Sequence, residues 1–382
     1  MEHQIVVLLR ARGRTIFKSD NRILAAMVSK DRINKIVAGY DKDNLVVATA
    51  CSHTSLQVFA GAKREGFKTL GIVVGQKTKF YDAFPLGKPD EFMYLDSYTE
   101  LLGRADELID KNVVVVPHGS FVEYMTPKNF VELEVPTFGN RHVLDWESDR
   151  DKSRQWLASA GIEMPHKIDD PKMIDRPVLV KYDGAKGGRG FFIAKDYPDF
   201  KLGIDHSQKF SIQEYILGTR YYIHYFYSPL RTDGYKLSKG SLEMLSIDRR
   251  DESNIDEIYK LGATEELKKL GHYPTFVVTG NVPVVVRESL LPKLLDMGEK
   301  VVEKSLELFG GMIGPFCLEC IVTDTLQVKV FEISSRIVAG TNPFISGSPY
   351  SDLISPGLST GRRIAQELRL ARDWDKLEEV LT

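Results

Sequence analysis

Leu45-Val46-Val47-Ala48-Thr49-Ala50 runs straight into Cys51-Ser52-His53-Thr54-Ser55, and that join constrains the fold more than any other stretch. An uninterrupted apolar, β-branched run does not alternate, so as a strand it needs cover on both faces, as in a parallel sheet. The hydroxyl-rich turn can cap a helix. Leu56 to Glu65 supplies that helix, Gly66 ends it, and Thr69 to Val74 reads as the next strand. Val113-Val114-Val115-Val116 repeats the pattern, with Pro117-His118-Gly119-Ser120 as its turn and Phe121-Val122-Glu123-Tyr124 opening a helix. Alternating β and α of this kind specifies an open, mostly parallel α/β sheet. In such sheets ligands bind beyond the carboxyl ends of the strands, where helix N-termini favour anions. The two turns, with hydroxyls and histidines, therefore suit a phosphate monoester. A Ser-His-Asp hydrolase is the competing reading, but no G-x-S-x-G elbow is present.

Charge narrows the class. The chain has 382 residues with 51 basic and 53 acidic side chains, a net charge of −2, which argues against nucleic-acid binding over a basic surface. At 43% apolar and 27% charged the composition is that of a globular protein of two or three domains. Three cysteines, Cys51, Cys317 and Cys320, fit a reducing cytoplasm rather than a disulfide scaffold. Cys317-Leu318-Glu319-Cys320 sits inside an apolar run, a poor setting for a redox CxxC. The apolar start Ile5 to Leu9 is cut short by Arg10, Arg12 and Arg14, too soon for a signal sequence, and no window reaches membrane-spanning length.

After about Asn140 the pattern changes. Ser148 to Ala160 is an amphipathic helix closed by Gly161. Val178 to Lys181 and Phe191 to Ala194 flank Gly184-Ala185-Lys186-Gly187-Gly188-Arg189-Gly190 with no helix between them, which predicts an antiparallel hairpin. Its glycines let backbone amides approach phosphate oxygens, and Lys181, Lys186 and Arg189 add countercharge. The spacing matches neither a P-loop nor a dinucleotide fingerprint, and a basic surface hairpin is the plain alternative. Further strands are expected at Phe210–Tyr215, Tyr221–Tyr227, Thr275–Thr279, Phe316–Val322 and Leu326–Ile333, with a long helix from Pro292 to Leu308. The second half is thus α+β.

Glu319 and Glu332 lie in the last two strands. With Asp324-Thr325-Leu326-Gln327 as the turn, paired residue numbers sum to 651, so 323 faces 328, 321 faces 330 and Glu319 faces Glu332. Opposed carboxylates repel unless a cation lies between them, and Mg²⁺ takes one or two carboxylates together with phosphate oxygens and water. Two unrelated glutamates on a solvated face are the plain alternative. Arg336, four residues on, suits a transferring phosphoryl group, or else an ion pair with one of the two glutamates.

These parts together resemble the ATP-grasp superfamily, and more closely the archaeal 5-formaminoimidazole-4-carboxamide ribonucleotide (FAICAR) synthetase family. Ser52-His53-Thr54-Ser55, Val115-Val116-Pro117-His118-Gly119-Ser120-Phe121, Phe138-Gly139-Asn140-Arg141, Gly187-Gly188-Arg189-Gly190, Glu252-Ser253-Asn254-Ile255-Asp256, Thr279-Gly280-Asn281-Val282-Pro283 and Gly314-Pro315-Phe316-Cys317 carry the likeness. It spans Met27 to the C-terminus. The resemblance implies an N-terminal open parallel α/β (pre-ATP-grasp) domain, 27–145, then an ATP-grasp domain of two α+β subdomains. These are a small one with the glycine-rich loop, 146–220, and a large one with the metal site, 221–382. Residues 1–26 read as an extension or an upstream start.

The implied activity is a carbon–nitrogen ligation in purine (IMP) synthesis. Formate joins the 5-amino group of aminoimidazole-carboxamide ribonucleotide (AICAR) through formyl phosphate as ATP is split to ADP and phosphate. By the same resemblance, His53, Ser120 and Asn281 would hold AICAR. Lys181, Gly187, Gly188, Arg189, Gly190 and the hinge Glu214-Tyr215-Ile216 would bind ATP. Glu319 and Glu332 would carry Mg²⁺ or Mn²⁺, with Arg336 and Lys186 catalytic. Small-molecule substrates, a homo-oligomer and no nucleic-acid or membrane partner are implied too. In two places the pattern departs from the superfamily. Ser334 stands where many members have Asn, and Leu217-Gly218-Thr219-Arg220 lacks the Gly-x-Glu of a ribose contact. An ATP-grasp ligase with another phosphorylated acceptor, or a nucleotide-binding regulator without turnover, are the rival readings.

Overall fold

A computed structural model describes residues 27–182, 190–252, 269–270, 277–338 and 348–382. The N-terminal extension and the glycine-rich loop residues Lys186, Gly187, Gly188 and Arg189 lie outside the described residues.

The first sheet is parallel. β1 (Val46–Ala50), β2 (Lys68–Val74), β3 (Glu91–Leu95) and β4 (Val113–Val115) are ordered β3-β2-β1-β4. β1 pairs with both β2 and β4, and its last four residues are buried, as an apolar run of this kind requires. β3 was not anticipated, because an edge strand with alternate residues exposed carries a weaker apolar signal.

A small antiparallel sheet follows: β5 (Lys167–Ile168), β6 (Val178–Tyr182), β7 (Phe191–Ala194) and β8 (Phe210–Glu214), ordered β5-β8-β6-β7. β6 and β7 form the predicted hairpin around the glycine-rich loop. Val178, Val180 and Ile212 pack with Phe200 of the helix Tyr197–Gly203. Leu179 and Lys181, at alternate positions, are only partly buried.

The large sheet contains β9 (Thr219–Ser228), β10 (Tyr235–Lys236), β11 (Ser241–Glu252), β12 (Val278–Pro283), β13 (Gly314–Val322) and β14 (Val328–Ser334). Its order is β10-β11-β9-β13-β14, with β12 on β11. The long helix, Leu291–Phe309, buries Leu294, Met297, Val301 and Val302. A parallel α/β unit followed by two antiparallel sheets is the architecture the resemblance implies.

Two features set the first sheet against the large one. The helices Ser55–Arg64 and Thr360–Asp373 cross backbone to backbone at Gly61 and Gly361. A Cβ on Gly61 would lie 2.4 Å from the Arg362 nitrogen, and one on Gly361 2.4 Å from the Gln57 carbonyl oxygen. On the other side, the Gly119 amide donates to the carbonyl of Ile337 (2.8 Å), tying the second N-terminal turn to the segment after β14. This contact brings the two candidate halves of the site together.

Candidate functional site

β13 and β14 place Glu319 opposite Glu332 in the predicted register, which holds from there to Cys317 and Ser334 but not nearer the turn. Nearest the turn, Val322 pairs with Val328, Ile321 with Lys329 and Cys320 with Val330, so the numbers sum to 650, not 651. The expected pairings of 323 with 328 and 321 with 330 are therefore corrected. The ladder shifts between Glu319 and Cys320, leaving Phe331 as the extra residue of a β-bulge. A loop one residue longer than expected and a bulge of one residue restore the opposition of the two glutamates.

Glu319 is 5% exposed, and its Oε1 lies 3.4 Å from Arg250 Nη2. The Arg250 guanidinium stacks 3.5 Å above the Tyr222 ring, and Tyr222 is the β9 partner of Glu319. Burial, then the charge of Glu332, pushes the Glu319 carboxyl above its ordinary range. Glu332 is pushed the same way, by burial and then by Glu147. Its carboxylate is hemmed in by protein yet opens onto a cavity of about 980 Å³, which Lys181, Glu147, Arg150, Ser211 and Gln213 also line. Burial lowers the Lys181 pKa, and the charge of Glu332 opposes that shift. Lys181 from the small sheet and Glu332 from the large one thus face one cleft.

Arg336 is engaged by neither glutamate of the hairpin. Its Nη2 is 2.6 Å from Glu147 Oε1, while Glu147 Oε2 accepts from the Ser335 amide (3.0 Å). Glu147 ends the helix Val143–Glu147 and clamps the turn after β14. The expected ion pair exists, but with a third carboxylate.

In the N-terminal turns, His53 Nε2 accepts from the Ser120 amide (3.3 Å), and the His53 and His118 rings lie 4.7 Å apart. His118 caps the helix Gly119–Met125: its Nδ1 accepts from the Phe121 amide (3.3 Å), so the ring proton sits on Nε2 and is donated to the Ala50 carbonyl (3.0 Å). By the same logic the His53 proton sits on Nδ1, which is buried without a partner. Burial first, then the Arg336 charge, pulls the His53 pKa down to about 4. Burial, then His53, pulls that of His118 down to about 3. Both rings are neutral at pH 7. The predicted hydroxyl cap of the first turn is corrected. Thr54 occupies the N-cap position with φ +67 and makes no cap bond, and its Oγ1 is buried without a partner. A β-branched residue in left-handed backbone is strained, and such strain clusters at ligand sites.

Asn281 on β12 pairs with Arg250, and its Oδ1 too is buried without a partner. Glu214 pairs with Val178, and its carboxylate accepts from the His166 amide (3.3 Å) and lies 3.8 Å from Arg176. The Tyr215 amide donates to the Pro177 carbonyl (2.9 Å) and Ile216 follows it. The β8 lining of the cleft ends at Gln213, short of all three hinge residues. Gly190, φ +78, closes the hairpin by accepting from the Tyr182 amide. Glu147 and Arg250 escaped the reading of the sequence as site residues, whereas His118 lies in a turn that reading singled out. Arg250 lies in the charge run Asp248-Arg249-Arg250-Asp251, and only the pairing of β11 with β9 shows where that run sits.

Residues 47–168 match a family described as a protein of unknown function (DUF1246), and residues 202–382 match a domain of unknown function (DUF1297). The chain is 62% identical over 356 residues to a 5-formaminoimidazole-4-carboxamide-1-(beta)-D-ribofuranosyl 5'-monophosphate synthetase of Methanococcoides burtonii, covering 93% of this chain and all of that one. It is 41% identical, at 93% and 100% coverage, to a synthetase of the same description from Methanococcus aeolicus. Among solved structures it resembles an IMP biosynthesis protein, PurP, from Thermococcus kodakaraensis, at 32% identity and TM-score 0.67 over 88% of this chain and 100% of that one. The N5-carboxyaminoimidazole ribonucleotide synthetase of Thermotoga maritima shares the fold alone, at 14% identity and TM-score 0.54 over 85% of this chain and 76% of that one. With this ATP-grasp fold and relatives matched along their whole length, the chain belongs to the 5-formaminoimidazole-4-carboxamide-1-(beta)-D-ribofuranosyl 5'-monophosphate synthetase family.

Proposed function

We propose that the chain is an ATP-dependent carbon–nitrogen ligase that joins formate to the 5-amino group of AICAR, yielding FAICAR, ADP and phosphate. The observation that carries this reading is the single cleft faced by Lys181 and Glu332, with Glu319 opposite Glu332. Such a cleft suits a polyphosphate whose charge is shared between a lysine and a divalent cation. The hairpin fits Mg²⁺, or Mn²⁺, because two opposed carboxylates resist charging unless a cation joins them. Among the described residues no group of three or more His, Cys, Asp or Glu forms a full cage, which suits an ion completed by phosphate and water. When bound, the ion would neutralise charge on the transferring phosphoryl group.

The protein's own groups do the rest. Lys181 balances phosphate charge in the cleft. Formate oxygen attacks the γ-phosphorus as the bond to ADP breaks, giving formyl phosphate. Arg336, held by Glu147, faces the equatorial oxygens. The AICAR amine then attacks the formyl carbon, phosphate leaves and the nitrogen loses a proton. A ring-conjugated amine is a weak nucleophile, so placement matters. His53 Nδ1, Thr54 Oγ1 and the Ser120 turn offer donors to the ribonucleotide, and Asn281 Oδ1 offers an acceptor from across the large sheet. In this reading residues 27–145 present the ribonucleotide site, and 146–382 the nucleotide and metal site. Buried, unpaired Cys51, Cys317 and Cys320 suit work in a reducing cytoplasm. The test is phosphate release from ATP with formate and AICAR supplied together or singly. Turnover that needs both is expected; ATP hydrolysis indifferent to formate overturns the reading.

A further inference from the structure

Phe138-Gly139-Asn140-Arg141 is one of the segments behind the family likeness, yet the reaction above uses none of its residues. Arg141 is 3% exposed. Its guanidinium donates to the carbonyls of Leu133 and Val135 and to Thr137 Oγ1 (2.8 Å), all uncharged oxygens. Burial, opposed by no carboxylate, pulls its pKa down to about 9. A buried cation without an anion is costly, and Arg141 Nε has no partner at all.

Arg141 lines a cavity of about 30 Å³ together with Pro117, Asn140, Ser335 and Arg336. Ser335 is 8% exposed with its Oγ unpartnered, and Arg336 Nε is likewise buried without a partner. Three orphaned donors from Arg141, Ser335 and Arg336 thus belong to residues around one small enclosure. Glu147 balances Arg336, so the walls keep one positive charge, that of Arg141. The cavity has room for at least two waters, enough for an anion of three heavy atoms. Its position matters as much. Pro117 leads into the turn that holds His118 and Ser120, while Glu147, the ion-pair partner of Arg336, lines the nucleotide cleft. The cavity therefore lies between the two proposed substrate sites.

We propose that this cavity binds a one-carbon carboxylate, formate, with Arg141 as its counter-charge and Ser335 Oγ and Arg336 Nε as hydrogen-bond donors. The proposal rests on the ligase reading above for the identity of the anion.

The test uses the full chain with [¹³C]formate in two measurements: saturation-transfer NMR without ATP, and the formate KM in phosphate release. Saturation transfer to formate is expected in the parent protein. Ser335→Ala and Arg141→Lys should each weaken it and raise the formate KM roughly tenfold, the size of one hydrogen bond to a charged group, while the KM values for ATP and AICAR stay put. Ser335→Ala removes one oxygen and keeps the result interpretable if Arg141→Lys misfolds. No transfer in the parent, or transfer and formate KM unchanged in Ser335→Ala, means ordered water only and overturns the proposal. Formate-dependent turnover that persists in that case leaves the ligase reading standing. Transfer that is lost in Ser335→Ala, without formate-dependent phosphate release in the parent, supports the cavity and sinks the ligase reading.

Discussion

His118 is buried and His53 half-buried, both in their neutral forms, whereas Glu319 and the cleft-facing Glu332 oppose one another on a hairpin where the surrounding protein and neighbouring carboxylates resist their charge. The N-terminal turns resolve burial by giving up charge and keeping directional donors and acceptors, which suits a ligand that arrives with its own oxygens. The β13–β14 hairpin keeps carboxylates where charging them is unfavourable, which suits a ligand that arrives as a cation. The two regions should therefore answer pH in opposite directions. The His53 pKa is depressed from 6.5 to about 4, so its contribution is present above pH 6.5 and lost as pH falls toward 4. The carboxylates are raised above 4.5, so theirs is full below that value and lost as pH rises through the folded-state midpoints.

The largest expected effect separates the regions by function. Glu332→Gln should lower turnover by about a thousandfold or more, because it removes a charge that acts on the transferring group. Calorimetric binding of AICAR should remain. Loss of AICAR binding as well would mean the two regions are one energetic unit. Next, His53→Phe removes the acceptor of the Ser120 amide and the Nδ1 donor proposed for the ribonucleotide, and should raise the KM for AICAR by roughly ten- to a hundredfold, with a smaller change in kcat. An effect confined to kcat would put His53 in the chemistry rather than in binding.

Smaller effects sharpen the electrostatic contrast. In chelator, Glu319→Gln should melt higher than the parent at pH 8 and match it near pH 4. His53→Asn should instead flatten the loss of stability between pH 6.5 and 4. Thermal melts across pH read both, and curves shifting in the same direction would break the comparison. The smallest effect is at Thr54, where glycine tolerates φ +67. Thr54→Gly should stabilise the free protein by about 1 kcal/mol while weakening AICAR binding, so strain and ligand contact would trade against one another.

The parallel sheet was legible because uninterrupted runs such as Val113 to Val116 admit few alternatives, and the glycine-rich hairpin because no helix separates its strands. Glu319 and Glu332 were legible as a pair, since two short apolar strands around one turn leave few registers. Glu147 was not, because its importance comes from contact with a turn nearly two hundred residues away, and nothing local marks that. The strand β11 was missed altogether, in part for a related reason. Its second half, Asp248 to Glu252, is a charge run that reads as surface, yet Asp248 is fully buried and Arg250 reaches Glu319 through the sheet. Arg141 shows the limit most clearly, since a lone arginine after Phe-Gly-Asn gives no sign that the fold will enclose it.

The bulge at Phe331 has a consequence for how this hairpin tolerates insertions and deletions. Phe331, the extra residue of the bulge, and its neighbours Glu332 and Ile333 all line the cleft that Lys181 faces. Deleting the single codon for Phe331 would extend the regular pairing outward from the turn and still leave the second carboxylate opposite Glu319. What would vanish is an aromatic ring on the cleft wall. One in-frame deletion would thus uncouple how the cleft grips a nucleotide from how the hairpin holds a cation, a separation that substitution at either glutamate cannot achieve.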